Sequence, residues 1–141
     1  MTCVERFRLF LIAGFVCMFC RAGFAEWMDL TDYGGTITAS SQINEAESKE
    51  KAFDNATTTK WLTGATATGW IQFQFPDGIQ YVIGRYSIAS ANDAPERDPR
   101  NWTLLGSNDG ANWMVVDTKE NQSWSGRFLR QEFECDHPGS Y

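Results

Sequence analysis

The densest run of groups suited to recognition chemistry in this 141-residue chain is Ala91-Asn92-Asp93-Ala94-Pro95-Glu96-Arg97-Asp98-Pro99-Arg100. Amides, carboxylates and guanidinium groups crowd together there, and Pro95 and Pro99 stiffen the backbone that carries them. Fixed donors and acceptors of this kind suit sugar hydroxyls, above all beside an aromatic ring. Asn92, Asp93, Glu96, Arg97 and Arg100 are the candidate ligand-binding residues. Trp124, outside the clearest strands, is the candidate stacking platform. The same run has a structural use, because an Arg-Asp-Pro turn can tie itself down with an internal ion pair.

Bond-making chemistry has little to stand on. Glycoside hydrolysis needs two carboxylates placed across a sugar-sized cleft, and none of the acidic residues stands in such a context. One histidine, His137, rules out histidine metal clusters and triads, and its place near the chain end reads as solvated. No Gly-x-Ser-x-Gly elbow, phosphate loop or zinc spacing occurs. The expectation is a protein that binds and is not an enzyme. A formal charge of −6 argues against nucleic acid or an anionic membrane as its partner.

The elements that must hold these residues follow from hydrophobic patterning. Arg6 and Arg8 precede an uncharged apolar run from Leu9 to Cys20, and Gly23-Phe24-Ala25 offers a small-residue cut. Together they read as a secretory signal peptide over residues 1–25, which places the product outside the cell or on its surface. The run is short of the roughly twenty residues a spanning helix needs. Its removal takes Arg6, Arg8, Arg21 and Glu5, moving the charge from −6 to −8. Cys3, Cys17 and Cys20 leave with it, so Cys135 remains without a partner and reads as a small core residue in phase with Leu129 and Phe133.

Residues 26–141 read as one domain with period-two alternation almost throughout. Ile71, Phe73 and Phe75 share one face of a strand whose other face carries Gln72 and Gln74. Further strands are expected at Thr36 to Ala39, Tyr81 to Ala91, Trp102 to Leu105, Trp113 to Val116 and Arg127 to Cys135. In the strand from Tyr81, Val82, Tyr86 and Ile88 share one parity. Asn108-Asp109-Gly110 supplies a hairpin turn. Asn44 with Glu47 three residues on could cap one or two helical turns reaching about Phe53. Short strands between polar turns imply an antiparallel sandwich or barrel. Three glycosylation sequons begin at Asn55, Asn101 and Asn121, and read as chance in a chain rich in Asn, Ser and Thr.

Three segments bring a family into view: Lys51-Ala52-Phe53-Asp54-Asn55-Ala56-Thr57-Thr58-Thr59-Lys60-Trp61, Gly69-Trp70-Ile71-Gln72-Phe73-Gln74-Phe75, and Arg97 to Trp113 with its Gly106-Ser107-Asn108-Asp109-Gly110-x-x-Trp113 hairpin. In order and spacing they resemble the galactose-binding-like, coagulation factor 5/8 type C (discoidin) domains, over roughly residues 30 to 135. The resemblance implies an all-β, antiparallel jelly-roll sandwich of eight strands. Loops at one end bind sugars in many bacterial members, and lipids or proteins in many animal ones. It places Trp61, Trp70, Trp102 and Trp113 in core or hairpin packing.

The resemblance also implies a structural Ca2+ held by the Asp54 carboxylate, the Ala56 carbonyl and the Thr59 hydroxyl. Oxygen donors of that kind are what calcium takes, while Asp and Thr also close turns unaided. Asn55 stands where the family usually has Gly, and Asn tolerates the same left-handed backbone. Family members continue past the position of Tyr141 with two more strands, one carrying an acidic residue that completes the calcium shell. A sandwich lacking its C-terminal strands is therefore expected, from a truncated product or partial sequence. The function implied is a secreted, non-catalytic carbohydrate-binding module taking a glycan or glycoprotein. An adhesion module on the same fold and an accessory domain of a larger secreted hydrolase are the alternatives. A lipid-binding role is disfavoured by the charge and by the lack of two apolar loop tips.

Overall fold

A computed structural model describes residues 6–12, 29–64, 68–76 and 80–141. Seven strands follow one another: β1 (Arg6–Ile12), β2 (Thr36–Ala39), β3 (Gly69–Gln74), β4 (Val82–Ala89), β5 (Asn101–Ser107), β6 (Met114–Lys119) and β7 (Arg130–Ser140). One sheet has the order β2-β3-β1-β5-β6, and the other pairs β4 with β7. Apart from β1, which runs parallel to both its neighbours, every pair is antiparallel. The expected strands are all present. The cut site Gly23-Phe24-Ala25 lies outside the described residues, whereas Arg6–Ile12, within the segment read as a leader, is placed inside the sheet.

Alternation builds the core as anticipated on β3, where Ile71, Phe73 and Phe75 are buried. Burying each such side chain is worth about 2–3 kcal/mol against leaving it exposed. Phe73, Phe75, Tyr81, Ile83, Leu104 and Val116 form the main cluster, and Cys135 joins it as a free, buried thiol. Burial pushes that thiol up to about 11, so it stays protonated and acts as a hydrophobe. Leu129 is not in phase with it: it lies ahead of β7 and is 41% exposed.

On β4 the expected parity fails at one point. The pairing slips between Ile83 and Arg85, so Ile83 is buried before the irregularity, Tyr86 and Ile88 face inward after it, and Val82 is exposed. One extra residue in a strand reverses which parity faces the core. The stretch after Asn44 also differs from a helix. It forms two 3-10 turns, Glu45–Glu47 and Lys49–Ala52, with Asn44 Oδ1 accepting from the Glu47 amide at 2.9 Å.

The hairpin is closed by side chains. Ser107 Oγ accepts from the Gly110 amide at 2.9 Å, and Asp109 Oδ1 accepts from the amides of Ala111 and Asn112 at 2.8 and 2.7 Å. Those Asn112 and Ala111 donors hold the Asp109 carboxyl well below the ordinary carboxylate range. Gly110 alone in this turn takes a positive φ, 69°.

Tyr141 is sewn in by two backbone hydrogen bonds with Tyr81, at 3.0 and 3.1 Å, and its ring lies on Gly106. A Cβ at Gly106 would run into that ring. Gly106→Ala is therefore expected to cost about 1–3 kcal/mol by overpacking, read as a lower midpoint in urea with unchanged m.

Candidate functional site

Strands β2, β4 and β6 end where β3, β5 and β7 begin, so residues 40–64, 90–100 and 120–129 gather at one end of the sandwich. Among the described residues, all four non-glycine residues with positive φ lie in these loops: Asn55 at 59°, Ala94 at 45°, Asn121 at 56° and Phe128 at 58°. Asn adopts this conformation readily, but Ala and Phe do so at a cost of about 1–3 kcal/mol each. Such strain persists only where the surroundings impose it.

Two cations tie together the loops that carry Ala94 and Phe128. Lys60 Nζ reaches Asp93 Oδ1 at 2.7 Å, Asn92 Oδ1 at 3.0 Å and Glu47 Oε1 at 3.2 Å, joining the first loop to the second. The Asp93 hydrogen bond raises the Lys60 ammonium's pKa despite its burial, and Lys60 in turn lowers that of Asp93. Arg127 grips Asp98 with both guanidinium nitrogens and also donates to the carbonyls of Ala91 and Asp93, at 3.4 and 3.3 Å. Asp98 is buried, and its hydrogen bond holds the Arg127 guanidinium above its usual value. Ser90 completes the clamp, donating through Oγ to the Gly126 carbonyl and accepting from the Leu129 amide, both at 3.0 Å.

Phe128 lies between the clamp residues Arg127 and Leu129. Its amide donates to the Ala91 carbonyl at 3.4 Å, which sets its backbone against the residue before Asn92, and Phe128 is 44% exposed. A large apolar ring held in solvent by a strained backbone is an unusual feature, and this one stands between Arg127 and Leu129, both bonded to the 90–98 loop.

Of the residues expected to bind, Asn92, Asp93 and Arg97 are brought together. Arg97 Nη2 lies 3.5 Å from Asp93 Oδ1. Glu96 is exposed on the short turn Pro95–Arg97, and Arg100 is exposed at the foot of the loop, where its carbonyl accepts from the Gln122 amide at 2.9 Å. Trp124 needs correcting as a platform. It is only 9% exposed and packs with Trp102 and Phe133, because the chain turns inward there to cover the second core cluster. The exposed rings at this end are Phe128 and Trp70, the second residue of β3, so Trp70 is not packed away in the core as expected. Lys60, Glu47 and Arg127 were also missed, since nothing in their local sequence marks a tie between distant loops. The Asp98 ion pair is real, but its partner comes from another loop.

The Asp54 loop brings its three expected oxygens together. Thr59 Oγ1 lies 2.8 Å from both Asp54 carboxylate oxygens and 3.0 Å from the Ala56 carbonyl oxygen, and Asp54 Oδ1 accepts from the Ala56 amide at 3.0 Å. Asn55 takes the left-handed turn foreseen for it. Calcium takes six to eight oxygens. These three residues supply four at most, with Lys51 Nζ 3.8 Å from Asp54 Oδ2, and no cluster of three or more His, Cys, Asp or Glu occurs among the described residues. The donors fit the hard-cation chemistry but make half a shell.

Arg127→Lys should loosen this end of the molecule. A lysine keeps the charge but cannot grip Asp98 with two nitrogens or reach the two carbonyls in the same geometry. A lower Tm and faster hydrogen exchange at residues 90–100 are expected.

Two sheets with a cross-tied, polar loop end that carries the exposed Phe128 define a binding module on a β-sandwich. A sequence model of the F5/8 type C domain matches residues 36–138, and the chain belongs to that family. It is 36% identical over 107 residues to a peptide-N(4)-(N-acetyl-beta-glucosaminyl)asparagine amidase of Arabidopsis thaliana, a match that takes in 74% of this chain and 15% of that protein. In fold it is similar to CpGH89CBM32-5 from Clostridium perfringens, solved in complex with GalNAc-beta-1,3-galactose. The TM-score is 0.58 at 17% identity, covering 74% of this chain and 76% of that one.

Proposed function

We propose that this domain is a non-catalytic glycan-binding module. Its sugar lies on Phe128 and is fixed by Asn92, Asp93, Arg97 and Lys60. The observation that carries this is the exposed Phe128, held at φ 58° with its amide on the carbonyl of Ala91, the residue before Asn92. An aromatic face takes the apolar face of a sugar ring, while immobilised amide, carboxylate and ammonium groups read its hydroxyls. The disaccharide held by the structural relative supports the ligand class. Three carboxylates at this end support binding over hydrolysis: Glu47 and Asp93 are engaged by Lys60, and Asp98 by Arg127. A carboxylate fixed in an ion pair is a poor general acid.

The match to a short part of an amidase favours an accessory role beside a catalytic domain that acts on glycoproteins, and a glycoprotein is the natural carrier of the ligand. Calcium belongs to this reading as a structural ion at Asp54, Ala56 and Thr59. It would draw the loop's oxygens together, and water or other groups would complete its shell. A glycan array of the full chain, run with calcium and with chelator, tests the proposal. Retention of one glycan class, with a Tm raised by calcium and lowered again by chelator, is the expected result. A cooperatively folded protein that retains no glycan would sink the glycan reading, and a Tm indifferent to chelator would sink the calcium.

A further inference from the structure

We infer that Asn121 is the acceptor of an N-linked glycan, and that of the three sequons it alone is built for one. An attached glycan is bulky and hydrophilic, so the folded protein tolerates it only where it stands clear of the packed chain. The motif by itself does not separate the sequons beginning at Asn55, Asn101 and Asn121. Their surroundings do. Asn101 opens β5, and the middle residue of its sequon, Trp102, is 2% exposed in the second core cluster. Thr103 pairs with Thr118 inside the sheet, and the Asn101 side-chain oxygen accepts from the Asn121 amide at 2.8 Å. Asn55 is exposed, but its Nδ2, the atom a sugar would join, donates to Asp32 Oδ1 at 2.6 Å. A sugar on that nitrogen would stand against the carboxylate, in a loop already closed on itself by Asp54 and Thr59.

Asn121 differs in each respect. It sits at φ 56°, a left-handed turn that Asn adopts readily. The stretch is fixed through its backbone: the Gln122 amide donates to the Arg100 carbonyl at 2.9 Å, and the Ser123 carbonyl accepts from Gln131 Nε2 at 2.9 Å. Asn121 and Ser123 are both exposed, and the side-chain amide of one and the hydroxyl of the other have no hydrogen-bond partner among the described residues. Both groups that define the sequon are therefore free on a fixed turn. In the transfer, a bond forms between Asn121 Nδ2 and the anomeric carbon of a lipid-diphosphate-linked oligosaccharide. The anomeric C–O bond breaks, the lipid diphosphate leaves with its electron pair, and the amide nitrogen gives up one proton. The inference rests on entry into a compartment that holds this donor, which the basic and apolar run from Arg6 to Ala25 is expected to direct. It does not depend on what the Phe128 end binds.

Expression of the full chain in cultured eukaryotic cells, with peptide mapping by mass spectrometry of the protein in the medium and in the lysate, tests this. The protein in the medium should carry one glycan, on the peptide that contains Asn121, and a glycosidase should remove it. Asn121→Gly keeps the turn, since glycine accepts φ 56°, and should reach the medium without the added mass. Ser123→Ala should also lose the glycan while keeping Asn121 itself, and Ser123→Thr should carry it as the parent does. Secreted protein with Asn121 unmodified would overturn the inference, as would a glycan on Asn55 or Asn101. Protein confined to the lysate and unmodified would overturn the assumed entry into the secretory route, and the inference with it.

Discussion

Asp117→Ala is expected to lower stability by about 2–3 kcal/mol, which for a domain of this size lowers Tm by roughly 10 °C. Asp117 on β6 is fully buried and stitches the two sheets together. Tyr86 Oη on β4 donates to Asp117 Oδ2 at 2.6 Å while accepting from the Trp102 indole on β5 at 2.7 Å, and Lys119 Nζ donates to Asp117 Oδ1 at 2.6 Å. Removing the carboxylate strands the Tyr86 hydroxyl in the core and deprives Lys119 of its nearest partner. The cost stays below that of a fully buried pair, because the Lys119 side chain is 21% exposed and can turn to water.

The same network sets a pH dependence. Burial alone would raise the Asp117 pKa, but the hydrogen bonds from Lys119 and Tyr86 outweigh it and hold it below 3.8. A carboxyl depressed in the folded state stabilises fully above its unfolded value and loses that contribution as pH falls through the folded one. Acid unfolding of the parent should therefore steepen below about pH 4, and Asp117→Asn should flatten that limb. Lys119 is raised above 10.5, with Asp117 outweighing its burial, so its share persists up to that pH and is lost above it. Melting curves from pH 2 to 11 would check both limbs. A parent and an Asp117→Asn variant with the same acid limb would contradict the assignment.

Phe128→Gly should separate binding from folding. Glycine accepts φ 58° without strain, and the ring it removes is nearly half in water, so stability should change by less than about 1 kcal/mol. Glycan affinity should fall on the order of 10- to 100-fold, as for removal of a central aromatic anchor. Phe128→Trp should bind at least as well as the parent. Titration calorimetry with the glycan found by array provides the measurement. Undiminished affinity in Phe128→Gly would move the site away from this ring, whereas loss of Tm alongside affinity would show that the ring holds the loops together.

Period-two alternation was enough to foretell β2 to β7 and the Ile71–Phe73–Phe75 face, because a strand's side-chain period is local. The hairpin at Asn108-Asp109-Gly110 and the left-handed Asn55 were likewise legible, since a residue's own φ preference decides them. The family followed from three short segments for the same reason. The phase of β4 was not legible: a slip in pairing between Ile83 and Arg85 depends on its partner strand.

The binding surface divides along the same line. Asn92, Asp93 and Arg97 were visible as a polar run in one loop. Their fixing by Lys60, the grip of Arg127 on Asp98 and the inward turn of Trp124 required three loops far apart in sequence to meet. Asp117, an acidic residue in an apolar strand, could be recognised as a buried tie only once Tyr86 and Lys119 stood beside it. For the N-terminal run, charge and hydropathy read as a leader, whereas Arg6–Ile12 is placed within the sheet. Sequence alone determined which segments are strands and turns and to which family they belong, because those choices rest on neighbours along the chain. Tertiary structure decided which polar groups are paired and which ring faces solvent, because hydrogen bonds and burial are made with neighbours in space.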